Sequence, residues 1–153
     1  MIIKFEKTEL PNPITIQAKE IGGSSSDKIN SVAETSDGGI LAGGKFAYNI
    51  DLGNGIVLTN NGSEDGMIVK YNELGECEWA KEIGGSSNDY INSVAETSDG
   101  GIIAGGYFKS SSIDLGNGVI QSTNDRSING MIIKYSAEGE VEWAKEIEDL
   151  VSD

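Results

Sequence analysis

Apolar positions in this chain fall into short runs divided by polar, glycine-bearing stretches, and the runs lack helical spacing. "INSVAET" (Ile29–Thr35, again Ile91–Thr97) sets Ile, Val and Ala between polar residues, as a half-buried strand requires. "TSDGG" follows in both places, and its Asp-Gly pair predicts a tight hairpin. The next runs, "GGILAGGKF" (Gly38–Phe46) and "GGIIAGGYF" (Gly100–Phe108), are nearly all apolar or glycine and predict a strand covered on both faces. "GMIVKY" (Gly66–Tyr71) and "GMIIKY" (Gly130–Tyr135) predict a third strand. The turns "NELGE" and "SAEGE" then lead into a fourth, "CEWAKEI" (Cys77–Ile83) or "VEWAKEI" (Val141–Ile147). The tract "SAEGEVEWAKEIEDL" holds helix-forming residues, but Gly139 and the strand-like twin predict a strand there too.

One unit is thus spelled twice, and its echo is wide. "AKEIGG" stands at Ala18–Gly23 and Ala80–Gly85, and "DLGNG" at Asp51–Gly55 and Asp114–Gly118. Even "MIIKF" (Met1–Phe5) reads like Met131–Tyr135, and "ITIQAKEI" (Ile14–Ile21) stands where "EVEWAKEI" stands later. The single domain 1–153 divides into a half-unit at 1–21, full units at 22–83 and 84–147, and a tail at 148–153. Four antiparallel strands per unit predict an all-β fold of β-propeller type, with two full four-stranded blades and a half-blade-like N-terminal segment. A parallel solenoid would need a shorter period, and a trefoil would need three units.

The succession "TSDGG", "DLGNGIVLTNNG", "DGMIVKYNELGECEWAKEIGGSSNDY" resembles the tandem propeller repeats of bacterial proteins related to the seven-bladed bacterial propeller repeat. The likeness runs from about Ala18 to Ile147. It implies the propeller fold and a binding role, often on secreted or surface proteins, without implying an activity. This chain departs from the pattern in having too few blades to close a ring, and "MIIKFEKTEL" lacks the apolar run of a signal peptide.

In a meandering blade, successive connections alternate between the two ends. "GGSSSDK" (Gly22–Lys28), "GGSSNDY" (Gly84–Tyr90) and the long segments Ala47–Asp65 and Lys109–Asn129 are expected at one end, with the tight turns at the other. Loops on a rigid scaffold carry function. The candidate ligand-binding residues are accordingly Ser25, Asp27, Asn49, Asp51, Ser87, Asn88, Asp89, Tyr90, Asp114 and Asn117. With Tyr48 and Tyr107 they supply aromatic rings beside amides and carboxylates, which suits carbohydrate and gives a lectin-like expectation. The competing reading makes the aromatics blade contacts, and gives Asp51 and Asp114 the task of bonding nearby backbone N–H groups.

An open set of blades leaves sheet faces uncovered, and Trp79, Trp143, Ile83 and Ile147 are the side chains expected to pack there. The expected remedy is homo-oligomerisation. The reading is a non-enzymatic binding module that completes a propeller between copies and binds a surface ligand through its loops. The alternative is a purely structural, self-assembling propeller fragment with no ligand.

Composition narrows the chemistry. A net charge of −14 argues against nucleic-acid phosphates and anionic membrane surfaces, and no segment is apolar enough to insert. Histidine is absent, and Cys77 aligns with Val141, so the usual nucleophile–base pairs are missing and Cys77 reads as a small buried hydrophobe. "GGSSSDK" is no phosphate loop, because it lacks the second glycine before lysine. "NGSEDG" (Asn61–Gly66) and "DRSING" (Asp125–Gly130) open like calcium loops but lack the terminal bidentate Glu, so plain turns are expected and neither metal nor cofactor.

Overall fold

The computed structural model describes residues 18–122 and 128–147. The N-terminal half-unit up to residue 17, residues 123–127 with the first half of the "DRSING" tract, and the tail 148–153 lie outside these. Among the described residues there are thirteen strands and no helix. Seven-residue strands β2 (Lys28–Glu34), β3 (Ile40–Phe46), β6 (Asp65–Tyr71) and β7 (Cys77–Ile83) form an antiparallel sheet in the order β2-β3-β6-β7. A second sheet joins β8 (Asp89–Glu96), β9 (Ile102–Phe108), β12 (Asn129–Tyr135) and β13 (Val141–Ile147) in the matching order. The all-β antiparallel class and four strands per unit agree with the hydropathy pattern, and "VEWAKEI" is a strand.

Registers match as well. Val32 faces Ala42 and Val94 faces Ala104, and the first strand of each sheet, β2 or β8, bulges at one residue, Asn30 or Asn92. The bulge crowds its neighbour strand. A Cβ on Gly44 would collide with the carbonyl of Lys28, and one on Gly106 with that of Tyr90. The second glycine of the pair in each second strand, Gly44 or Gly106, is therefore a packing requirement.

Each unit also holds an inserted hairpin that the apolar runs did not announce: β4 (Asn49–Asp51) with β5 (Val57–Thr59), and β10 (Ser112–Asp114) with β11 (Ile120–Ser122). β1 (Gly22–Gly23) adds to β4, and Gly84 bridges to Asp114 in the second unit. Ile50 and Leu52 pack against Phe46, Met67 and Val69 of the first sheet, while Ile113 and Leu115 join Phe108, Met131 and Ile133 of the second. The hairpins lie along the sheets as wedges.

Between the sheets, Leu41, Ile68 and Ile83 of the first share a core with Ile91, Val94, Ile102 and Ala104 of the second. All are at most 5% exposed. Each large aliphatic side chain buried there contributes about 1.5–3 kcal/mol to holding the two sheets together.

Candidate functional site

The aspartates of the two glycine-serine loops hold the backbone together. Asp27 accepts N–H bonds from Gly23 (2.7 Å) and Ala47 (3.2 Å). Asp89 is fully buried and accepts from the backbone of Gly85 (2.8 Å), Lys109 (2.9 Å) and Ser110 (3.1 Å), and from the Ser110 hydroxyl (2.6 Å). Ser110 also takes the N–H of Ser87 (2.8 Å). Loop, strand end and inserted hairpin thus meet on one carboxylate.

Asp51 and Asp114 each accept an N–H two residues on, from Gly53 (2.9 Å) and Gly116 (2.8 Å). They start turns in which Asn54 and Asn117 take left-handed backbone angles (φ 55° and 57°). Asn117 donates to Glu140 (3.1 Å) in the turn before β13, and the Tyr135 hydroxyl donates to the Leu115 carbonyl (2.7 Å). The tips of the long segments therefore reach the tight-turn end of the sheet. This corrects the expectation that these segments sit wholly at the opposite end: their alternating apolar residues draw them down the sheet face. Of the ten candidate residues, Ser25, Asn49, Asp51 and Asn117 are exposed. Tyr48, beside Asn49, is 67% exposed and held at φ 62°.

Tyr90 belongs to the seam between the sheets. Its hydroxyl donates to Glu64, which is paired with Lys45, and the Lys45 ammonium lies 5.0 Å from the Tyr90 ring centre. Tyr107 meets Tyr90 edge-on at 4.7 Å, and Asn88 donates to the Tyr90 hydroxyl (3.1 Å). The hydrogen bond to Glu64, with burial, raises the phenol's pKa, while Lys45 and Tyr90 lower that of Glu64. Further contacts cross the seam from Asn30 Nδ2 to the Ile91 carbonyl (2.9 Å), from the Val94 N–H to Ser31 Oγ (3.3 Å), and from the Ser36 N–H to the Glu96 carboxylate (2.8 Å).

At the outer end of the seam, Asp65 is fully buried with Oδ2 accepting from the Asn61 N–H (2.6 Å) and Oδ1 without a hydrogen-bond partner. Glu82 lies beside it and has its carboxyl pushed up to about 7 by burial, then by the bond to Asp65 and its charge. Burial raises Asp65 as well. Side by side, the two carboxyls are both protonated more readily in the folded chain than a free carboxyl is. The second unit has Asn129 in place of Asp65, and its amide donates to Glu146 (2.6 Å).

A buried lysine clamp occurs twice and was missed in the sequence. Lys70 Nζ reaches Glu78 (2.6 Å), Asp37 (3.1 Å) and the Tyr71 carbonyl (3.3 Å); Lys134 repeats this with Glu142 (2.5 Å), Asp99 (3.3 Å) and the Tyr135 carbonyl (3.1 Å). Asp37 is held down at about 2 by the Thr35 hydroxyl, the Gly39 N–H and Lys70, and Asp99 likewise by Thr97, Gly101 and Lys134. Burial alone would lower Lys70, but Glu78 and Asp37 outweigh it and raise its pKa. The signal was a lysine at the same place in two otherwise apolar runs.

The outward faces complete the geometry. Val32 is 66% exposed where its counterpart Val94 is 5%, and Ile40 is 48% exposed against 2% for Ile102. A hollow of about 660 Å³ lies there, lined by Ile21, Ile29, Val32, Ile40, Tyr71 and Leu74 among others. On the far side of the second sheet, Ile147 is 54% exposed where Ile83 is fully buried, and Trp143 is 50% exposed.

Among the described residues, no three His, Cys, Asp or Glu side chains are arranged to hold a metal ion, and no helix is long and apolar enough to cross a membrane. Cys77 is buried and unpaired, and burial raises its thiol pKa. Against models of known protein families and against curated proteins, the chain matches none.

Proposed function

We propose that this protein is a non-enzymatic interaction module that completes a β-propeller by association of its own copies. The observation that carries the reading is the unequal exposure of equivalent residues. Val94, Ile102 and Ile83, which meet the other sheet inside the molecule, have counterparts in Val32, Ile40 and Ile147 that stand open on outward faces, and open apolar faces of this kind mark association surfaces. The resemblance to bacterial propeller repeats supports the same reading. The loop end of the sheets, with Tyr48 and Asn49 exposed side by side, is the part left to a surface ligand, carbohydrate being the class its aromatic and amide groups suit.

One observation favours a structural role with no ligand. Asp27, Asp51, Asn88, Asp89, Tyr90, Asp114 and Asn117, seven of the ten candidate ligand residues, spend their side chains on internal hydrogen bonds. Light scattering across a dilution series tests association: a discrete multimer supports it, and a folded monomer at every concentration refutes it. A glycan array then separates the two variants of the reading, since saturable binding that is lost in Tyr48→Gly requires the ligand.

A further inference from the structure

The seam inside the molecule is a pattern for a second seam between molecules. On the first sheet, Gly43 is the notch: a Cβ there would lie 2.7 Å from Val94 and 2.8 Å from Ile91, both of the second sheet. Its counterpart on the second sheet, Gly105, has nothing nearer to such a Cβ than the Met131 carbonyl at 3.9 Å. An empty notch thus stands on one outward face, while the exposed Val32 and the half-buried Ile29, the counterparts of the side chains that fill the occupied notch, line the hollow on the other.

We propose that copies of this chain dock head to tail, Val32 and Ile29 of one copy seating against Gly105 of the copy before it. The proposal rests on the reading of the protein as a self-associating module and names its partner surfaces. Three polar contacts of the internal seam support it, because the side chains that make them recur, although Glu64, which pairs with Lys45 and Tyr90, is replaced by Ile128. Asn30, Ser31 and Ser36 on one side return as Asn92, Ser93 and Ser98, and Glu96 on the other is matched by Glu34. Asn92 and Ser93 are exposed, whereas Asn30 and Ser31, which the second sheet covers, are half-buried. The aromatic contact is kept with its polarity reversed. Inside the chain Lys45 lies over Tyr90; their counterparts are Tyr107 and Lys28, so the next copy brings the lysine and the preceding copy the ring. Such a head-to-tail contact makes a closed ring where the rotation closes.

The test is Gly105→Val, measured by light scattering and thermal melting beside the wild-type protein. A Cβ at Gly105 comes no nearer than 3.9 Å to the Met131 carbonyl of its own chain, so the monomer should keep its fold and melting temperature, while filling the notch weakens association by about tenfold or more. Gly43→Val, which strikes Val94 and Ile91 inside the chain, lowers the melting temperature instead. A second measurement fixes the pairing. In a Cys77→Val background, Val32→Cys chains mixed with Ser93→Cys chains form a mixed disulfide under mild oxidation, and neither forms one alone. A wild-type multimer that Gly105→Val leaves intact, or that links Val32→Cys to itself, overturns head-to-tail docking and leaves self-association standing. A wild-type monomer at all concentrations overturns both, and assigns cover of the Val32 face to residues 1–17 of the same chain.

Discussion

Replacing Asp65 with Asn should make the protein more stable at neutral pH and remove part of its pH dependence. The second unit already contains the design, since Asn129 donates to Glu146 where Asp65 can only confront Glu82 with another carboxyl group. Glu82 sits at about 7 instead of its ordinary 4.5, so the folded chain holds a proton there that the unfolded chain releases. Stability is greatest below 4.5, declines as pH rises through that window, and levels off above about 7. Asp65, also raised, acts with the same sign. At about 1.4 kcal/mol for each tenfold change, the full shift of Glu82 is worth about 3 kcal/mol, and solvent screening of this partly exposed side chain reduces it to about 1–2 kcal/mol. The Asn61 N–H keeps an acceptor in the amide carbonyl oxygen of the substituted side chain. Urea unfolding of both proteins at pH 4.5 and pH 8 measures the effect. The difference between them should favour the variant at pH 8 and shrink at pH 4.5. A variant that is less stable at pH 8, or a difference independent of pH, would refute the paired-carboxyl account.

Three further outcomes follow from the same geometry. Asp37 and Asp99, held at about 2, contribute stability that is present above their ordinary 3.8 and lost as pH falls through about 2. The double variant Asp37→Asn/Asp99→Asn should therefore show a shallower loss of stability below pH 4 in acid-unfolding curves followed by circular dichroism. Tyr48→Gly relieves a left-handed backbone at an exposed site and should raise stability by about 1 kcal/mol in chemical denaturation. Cys77 should react with a thiol reagent only at the rate of unfolding, because it is buried and its thiolate is disfavoured.

The eight long strands were legible because each is a short apolar run closed at one end by an Asp-Gly, Leu-Gly or Glu-Gly turn, and because every such run occurs twice. The outward faces were legible too, as a consequence of counting units. What the pattern could not convey was direction. "DLGNG" announces a turn at Asn54 or Asn117, but only the burial of Ile50, Leu52, Ile113 and Leu115 carries that turn to the far end of the sheet. The roles of Asp27 and Asp89 were hidden for a related reason. A polar residue in a loop reads as solvent-facing, whereas these carboxylates collect backbone N–H groups from segments some twenty residues away in sequence. The Lys70 and Lys134 clamps depend on two strands and a distant turn coming together, which no local window of sequence contains.

Trp143 reports most directly on the central claim, that the open face of the second sheet is covered by another copy. In a Trp79→Phe variant it is the sole tryptophan, half-exposed at the site that the next molecule would cover. Its emission should shift to the blue, with quenching by iodide falling in step, as the protein is concentrated from nanomolar to high micromolar. Emission of a solvent-exposed indole at every concentration, from a chain that melts cooperatively, would contradict the account.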